Sequence, residues 1–179
     1  MVNSKRPYDL EEVQREWIGK VLDRTQGRYP VEHDPIRRHC QMVGDVNPLF
    51  LDSEFAAKTR FGAVIAPSIM APYFAGPGAW PPAAEPAQPY GMAVPTPGKL
   101  LLNLNQSHRF LEPIKIGDQL RSERSVTAII EKPVARDPKS IWVTMVRRVF
   151  NQHGDLVATV ENTVLTHRTA EEIEADQKK

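Results

Sequence analysis

With 179 residues, 41% of them hydrophobic and 25% charged, the chain can bury a real core in one domain and is too short for two ordinary ones. Lys and Arg total 23 against 22 Asp and Glu, and the net charge of +1 gives no electrostatic footprint for nucleic acid or an anionic membrane. The single cysteine, Cys40, excludes an intrachain disulfide and a cysteine-based metal cluster, and no apolar run approaches the roughly 20 residues of a transmembrane helix.

The opening segment, MVNSKRPYDLEEVQREW, is charged and lacks the apolar centre of a signal peptide, so a cytoplasmic location is expected. Asp9 is the expected N-cap of a helix over LEEVQREWI, with Leu10, Val13 and Trp17 at helical spacing and Gly19 at its end. Residues 20–32 read as strand and turn. Asp34-Pro35 reads as a helix start, an acidic N-cap followed by proline at the first helical position, with the helix running to Gly44. Asp52 caps a short helix over SEFAAKTR that Gly62 ends. In VIAPSIMAPYF, Pro67 opens a third helix. Apolar residues surround it, so the stretch from Ser68 to Phe74 is expected to be buried, Ile69 included.

Eight of the 16 prolines lie between Pro72 and Pro97. Residues 76–97 therefore predict a long loop of polyproline-like backbone. Two readings stand: a surface excursion, or a cover over a site or interface, since Trp80, Tyr90 and Met92 are costly to leave in water. After Gly98 the pattern turns to strands: LLLNLNQSHRFL, LRSERSVTAIIEK, IWVTMVRRVF and LVATVENTVLTHR, separated by EPIKIGD, PVARDPK and the hairpin turn NQHGD. The charged tail, 169–179, reads as a solvated helical end. Helices first and antiparallel strands after them predict an α+β domain over residues 1–168, a sheet wrapped on a central apolar helix.

The most informative stretch is GDVNPLFLDSEFAAKTRFGAVIAP, residues 44–67. It resembles the hydratase signature of the MaoC-like hot-dog dehydratases: a Gly-Asp, an Asn-Pro, a histidine, an aspartate, then an alanine-containing helix, Phe-Gly and Ile-Ala. Gly44, Asp45, Asn47, Pro48, Leu49, Asp52, Ala56, Phe61, Gly62, Ile65 and Ala66 fall on it in register. LEPIKIGDQL, residues 111–120, is similar to the family's second hallmark. The resemblance covers roughly residues 12–167 and is nearest the branch that includes the dehydratase domain of fungal-type fatty acid synthases and mycobacterial-type hydroxyacyl dehydratase subunits.

This resemblance implies a hot-dog fold, a bent antiparallel sheet around a long central helix, usually dimeric through sheet continuation. It implies hydration of trans-2-enoyl thioesters or dehydration of 3-hydroxyacyl thioesters, on coenzyme A or a carrier protein, without a cofactor or metal. The motif's aspartate and histidine hold the water and move the protons. A backbone N–H at the start of the central helix polarises the thioester carbonyl. Carried over, the catalytic position is Asp45 with Asn47 supporting it, and the acyl thioester is expected near Ala66, Ser68 and Ile69, with Trp80 and Tyr90 from the proline-rich loop.

The sequence departs from the pattern at Phe50, which occupies the histidine's place. A phenyl ring cannot exchange a proton. The leading expectation is therefore a non-catalytic acyl-binding subunit paired with a second hot-dog subunit whose Asp/His motif is intact, for fatty acyl or sterol side-chain thioesters. The alternatives are a self-sufficient homodimeric (R)-type hydratase using Asp45, and a thioester-binding or scaffold protein without turnover. Asp45 with Asn47-Pro48 also reads as a plain turn and helix cap. His108 reads as a substitute base or as ordinary strand polarity. His33 and His39 lack a third ligand at metal spacing, Cys40 reads as a small core residue, and Arg147-Arg148 places one arginine on each face of a strand, which reads first as a solvated face and second as a contact for a phosphate of coenzyme A or a carrier.

Overall fold

Period-two alternation over long apolar strands builds the sheet, and short capped helices cover it. The structure is a computed structural model and describes residues 8–78 and 93–177. In chain order the elements are α1 (Leu10–Trp17), β1 (Val21–Gln26), α2 (His33–Val43), α3 (Pro48–Leu51), α4 (Ser53–Ala57), β2 (Ile65–Ala66), a 3-10 turn (Ser68–Met70) that runs into α5 (Ala71–Phe74), β3 (Leu100–Phe110), β4 (Ile114–Lys115), β5 (Arg121–Glu131), β6 (Ile141–Phe150), β7 (Leu156–His167) and α6 (Ala170–Gln177). The order β1-β5-β6-β7-β3 makes one antiparallel sheet, and β2 pairs with β4. Its pairings are interrupted by bulges, as between Asn103 and Asn105 and between Val126 and Ala128, each of which adds bend and twist. This is the hot-dog arrangement expected from the resemblance.

The inner face is covered at its two ends by different elements. At one end Val149 and Ala158 pack with Ile36 and Cys40 of α2 and with Ala66, Met70, Ala71 and Phe74. At the other, Val126, Ile129, Val143, Met145 and Val164 pack under Leu10, Val13 and Trp17 of α1. The caps that hold these covers are local. Asp9 accepts the Glu12 N–H at 3.0 Å, Asp52 accepts those of Glu54 and Phe55, and Gly44 ends α2 in the left-handed region at φ 71°.

The central helical segment is shorter than the resemblance implies, one 3-10 turn and a four-residue α5. Gly76-Pro77-Gly78 follows it directly, so no further turn can form. Its end is pinned to the sheet: Thr25 Oγ1 donates to the Ala75 carbonyl at 2.9 Å, and Gly27 lies so close to the Phe74 carbonyl that a Cβ there would collide with it. Met70, Ala71 and Phe74 are buried, but Ile69 is 50% exposed and Tyr73 65%. The expectation that Ile69 is a core residue is thus corrected. A seven-residue segment that is apolar all round gives no phase by which to tell its buried side.

The start of α2 is also corrected. Glu32 is the N-cap, without a side-chain bond, and Asp34 lies inside the first turn. The Asp34 carboxylate is drawn forward to Arg37 and Arg38, at 2.7 and 2.6 Å, which occupy the i+3 and i+4 positions. Helix α3 and the short β2–β4 pair were not expected. Among the described residues no helix is long and apolar enough to cross a membrane. Trp80, Tyr90 and Met92 lie outside the described residues.

Candidate functional site

The motif loop begins where α2 stops. After Gly44, the Asp45 N–H donates to the Cys40 carbonyl at 2.9 Å. Asp45 Oδ1 then accepts the Asn47 N–H at 2.9 Å, and Asn47 Oδ1 accepts the Leu49 N–H at 3.1 Å as the N-cap of α3, with Pro48 at its first position. Both motif polar groups are thus engaged by their own backbone, as a turn and a helix cap. Cys40 is buried beside this loop. Burial, then the Asp45 carboxylate, push its thiol pKa up, which keeps it an uncharged core residue.

Phe50 is half-buried and packs against the cluster that contains Ala66, Met70 and Phe74. Its carbonyl lies 3.2 Å from His33 Nε2. The histidine position of the motif is therefore taken by an apolar ring at the margin of the core, and an imidazole from α2 reaches only its backbone. Ala66 is buried in the same cluster, with Ser68 half-exposed and Ile69 more exposed just after it. The structure brings together Phe50, Ala66 and the start of the 3-10 turn. Among the described residues no hydrogen bond links Asp45 to Ser68, Ile69 or His108. With so short a helical segment, little helix dipole stands behind the Ser68 and Ile69 N–H groups.

His108 is half-buried, directly opposite Val160, and its Nδ1 has no hydrogen-bond partner among the described residues. It stands at the end of a row across the inner face. The register places Asp23 of β1 opposite Arg124 of β5, Arg124 opposite Arg147 of β6, Arg147 opposite Val160 of β7, and Val160 opposite His108 of β3. Arg124 holds Asp23 at 2.5 Å, while Arg147 stands 3.6 Å from Asp23 and donates to Ser122 Oγ at 2.8 Å. On the opposite face Arg148 donates to Ser125 Oγ, so the two consecutive arginines do take opposite faces. Arg147 is no solvated residue: its side chain is only 18% exposed.

Among the described residues, the inner face is open between the two apolar clusters. A cavity of about 410 Å³ lies there, lined by Leu101, Asn103, Gln106, Arg124, Met145 and Arg147 among others, with Pro72 on its helical side. Sequence reasoning missed the cavity because its polar lining comes from four strands whose register is not local.

A hot-dog sheet with a hydratase-type motif loop at its helical edge defines the class: hot-dog enoyl-thioester hydratases and dehydratases. The sequence model of the family described as "FAS1-like, dehydratase domain region" matches residues 16–160, and the chain belongs to this family, within the MaoC-like hot-dog dehydratases. It is similar to the (R)-specific enoyl-CoA hydratase of Aeromonas caviae, 34% identical over 122 residues, which covers 67% of this chain and 75% of that one. It is also similar to a "Probable enoyl-CoA hydratase alpha subunit" of Thermomonospora curvata, 24% identical over 95% of this chain but spanning only 56% of that longer protein. In fold it resembles a chain of the ChsH1-ChsH2 complex from Mycobacterium tuberculosis, with a TM-score of 0.71, 15% identity and coverage of 91% of this chain and 98% of that one.

Proposed function

We propose that this chain is the acyl-binding, non-catalytic subunit of an enoyl-CoA hydratase or 3-hydroxyacyl-thioester dehydratase, completed by a second hot-dog subunit with an intact Asp/His pair. One observation carries the reading: a half-buried Phe50 packs against the apolar core at the histidine's place while Asp45 is engaged in its own turn. A single carboxylate can accept a proton from water but has no partner to pass one on, so the hydration of a double bond lacks half its acid/base pair. The resemblance in fold to a chain of a two-component complex supports a hot-dog partner. The inner-face cavity offers the acyl group apolar walls at Leu101, Met145, Val160 and Val164.

The test is hydration of crotonyl-CoA and longer enoyl-CoAs by the purified chain, alone and mixed with a motif-intact hot-dog subunit. The chain alone is expected to be inert and the mixture active. In the mixture, Asp45→Asn here leaves turnover nearly unchanged, and the same change at the matching aspartate of the other subunit costs on the order of 10²–10⁴-fold. Hydration by the chain alone that disappears on Asp45→Asn overturns the reading. It would favour the self-sufficient homodimer, for which the unpartnered His108 Nδ1 is the available base. Thioester binding with no turnover in any mixture would leave the scaffold role.

A further inference from the structure

We propose that the inner-face cavity accepts an acyl chain bearing a carboxylate at its far end, with Arg147 as the group that recognises it. The inference rests on the acyl-binding reading and adds the substrate's chemistry to it. A cavity meant for plain hydrocarbon would be lined by the Val, Ile and Leu that fill the rest of this inner face. Here the middle of the face carries Arg124 and Arg147 directly opposite each other. Like charges at directly opposed positions cost a sheet stability, and burying guanidinium groups adds to that cost. Asp23 offsets part of it, but from the far side of Arg124: it is 2.5 Å from Arg124 and 3.6 Å from Arg147. Arg147 therefore has its close bond to a neutral hydroxyl, Ser122 Oγ at 2.8 Å, and only a distant carboxylate.

The neighbouring groups are donors too. Asn162 Nδ2 donates to Asn103 Oδ1 at 2.7 Å, which turns the amide NH2 of Asn103 away from that bond, and Gln106 makes no side-chain hydrogen bond to another described residue. Arg147, Asn103 and Gln106 all line the cavity, with Leu101, Met145 and Val164 between and beyond them. Two guanidiniums, of which Arg124 is held by Asp23, and the three amides of Asn103, Gln106 and Asn162, set in apolar walls, match a hydrocarbon chain ending in a carboxylate. The Arg147 guanidinium binds both carboxylate oxygens and the walls take the methylenes.

The experiment is direct binding by calorimetry to the full chain, with decanoyl-CoA, the mono-CoA thioester of decanedioic acid, and free coenzyme A. The carboxylate-ended thioester is expected to bind about tenfold or more tightly than decanoyl-CoA, the worth of a charge-assisted hydrogen bond in a partly buried site. That advantage shrinks as salt is raised and disappears in Arg147→Met. If Arg147→Met fails to fold, Asn103→Leu with Gln106→Leu on the exposed edge strand β3 is expected to reduce the same advantage severalfold. Equal affinity for the two thioesters overturns the inference and leaves the acyl-binding reading standing. Free coenzyme A binding as tightly as either thioester, and weakened by Arg147→Met, assigns the arginine to the coenzyme's phosphates and overturns the inference as well. Binding of none of the three overturns it too, while the hydration assay of the mixed subunits still decides the subunit's role separately.

Discussion

Phe50 and Asn47 separate a motif's shape from its chemistry. Asn47 caps α3 through Leu49, and Asp45 closes the turn before it, so the Gly-Asp-x-Asn-Pro spelling has a backbone role of its own in this chain. Asn47→Ala is expected to lower stability by about 1 kcal/mol, the usual worth of an N-cap, read as a shift of the urea midpoint. Asp45→Asn keeps an Oδ1 acceptor for the Asn47 N–H and is expected to leave that midpoint nearly unchanged. Phe50→His restores the motif in writing, but it places a polar ring against Ala66, Met70 and Phe74, in surroundings shaped to a phenyl ring. It is expected to lose stability and gain no hydratase activity in the crotonyl-CoA assay.

At the scale of elements, the segment 68–74 and the link between the β5–β6 loop and the C-terminal helix each hold a cover in place. Phe74→Ala removes a side chain that is 5% exposed and is expected to cost about 3–5 kcal/mol, whereas Ile69→Asp, at a half-exposed position, is expected to leave the isolated chain folded. The link is the buried pair of Asp137 and Arg168, 2.6 Å apart, with Arg168 also reaching Asp176 of α6 at 2.9 Å. Burial pushes the Asp137 carboxyl up, but the bonds from the Arg168 guanidinium and from the backbone N–H groups of Arg168 and Lys139 outweigh it, and hold it at about 2 against an ordinary 3.8. A carboxylate with a depressed folded pKa contributes stability that is complete above 3.8 and is lost as pH falls toward 2. Asp137→Asn leaves the buried Arg168 guanidinium with only the more exposed Asp176 as a charge partner and is expected to cost about 2–3 kcal/mol at neutral pH, less than a buried charge left wholly unpaired. The gap between variant and parent in denaturant melts should narrow as pH falls from about 4 to 2.

The same scale shows what the sequence could disclose. Asp9, Asp52 and Gly44 were legible as caps because a cap is decided within four residues, and the long strands were legible because alternation is also local. Asp34 misled because the two arginines after it compete for its carboxylate. Ile69 misled because a short segment that is apolar all round has no readable phase. The row from Asp23 through Arg124 and Arg147 to His108 could not be read at all: it exists only once five strands are in register, and one residue of slip would turn every member to the opposite face.

For the whole molecule, the unfinished business is the edge of the sheet. β3 pairs with β7 on one side only, and along it and just past it Leu100, Leu102, Leu104, Phe110 and Leu111 are each between 39% and 46% exposed. A long edge strand with open backbone donors and apolar side chains is an association site or an aggregation hazard, and β3 is blunted only by its bulge between Asn103 and Asn105: it contains no proline, and its one strongly charged residue is Arg109. The other edge, β1, is short and carries Asp23 and Arg24. Association is therefore expected through β3, extending the sheet into a second hot-dog subunit, with self-association when the chain is made alone. Leu102→Lys with Leu104→Lys places two charges on that edge without touching either apolar cluster. The double variant is expected to keep the parent's far-ultraviolet circular dichroism and melting temperature as an isolated fold, to sediment as a monomer, and to fail to activate a motif-intact partner in the enoyl-CoA assay. If the double variant assembles as the parent does, the junction lies elsewhere, and the exposed Ile69 and Tyr73 beside the motif loop become the surface to change next.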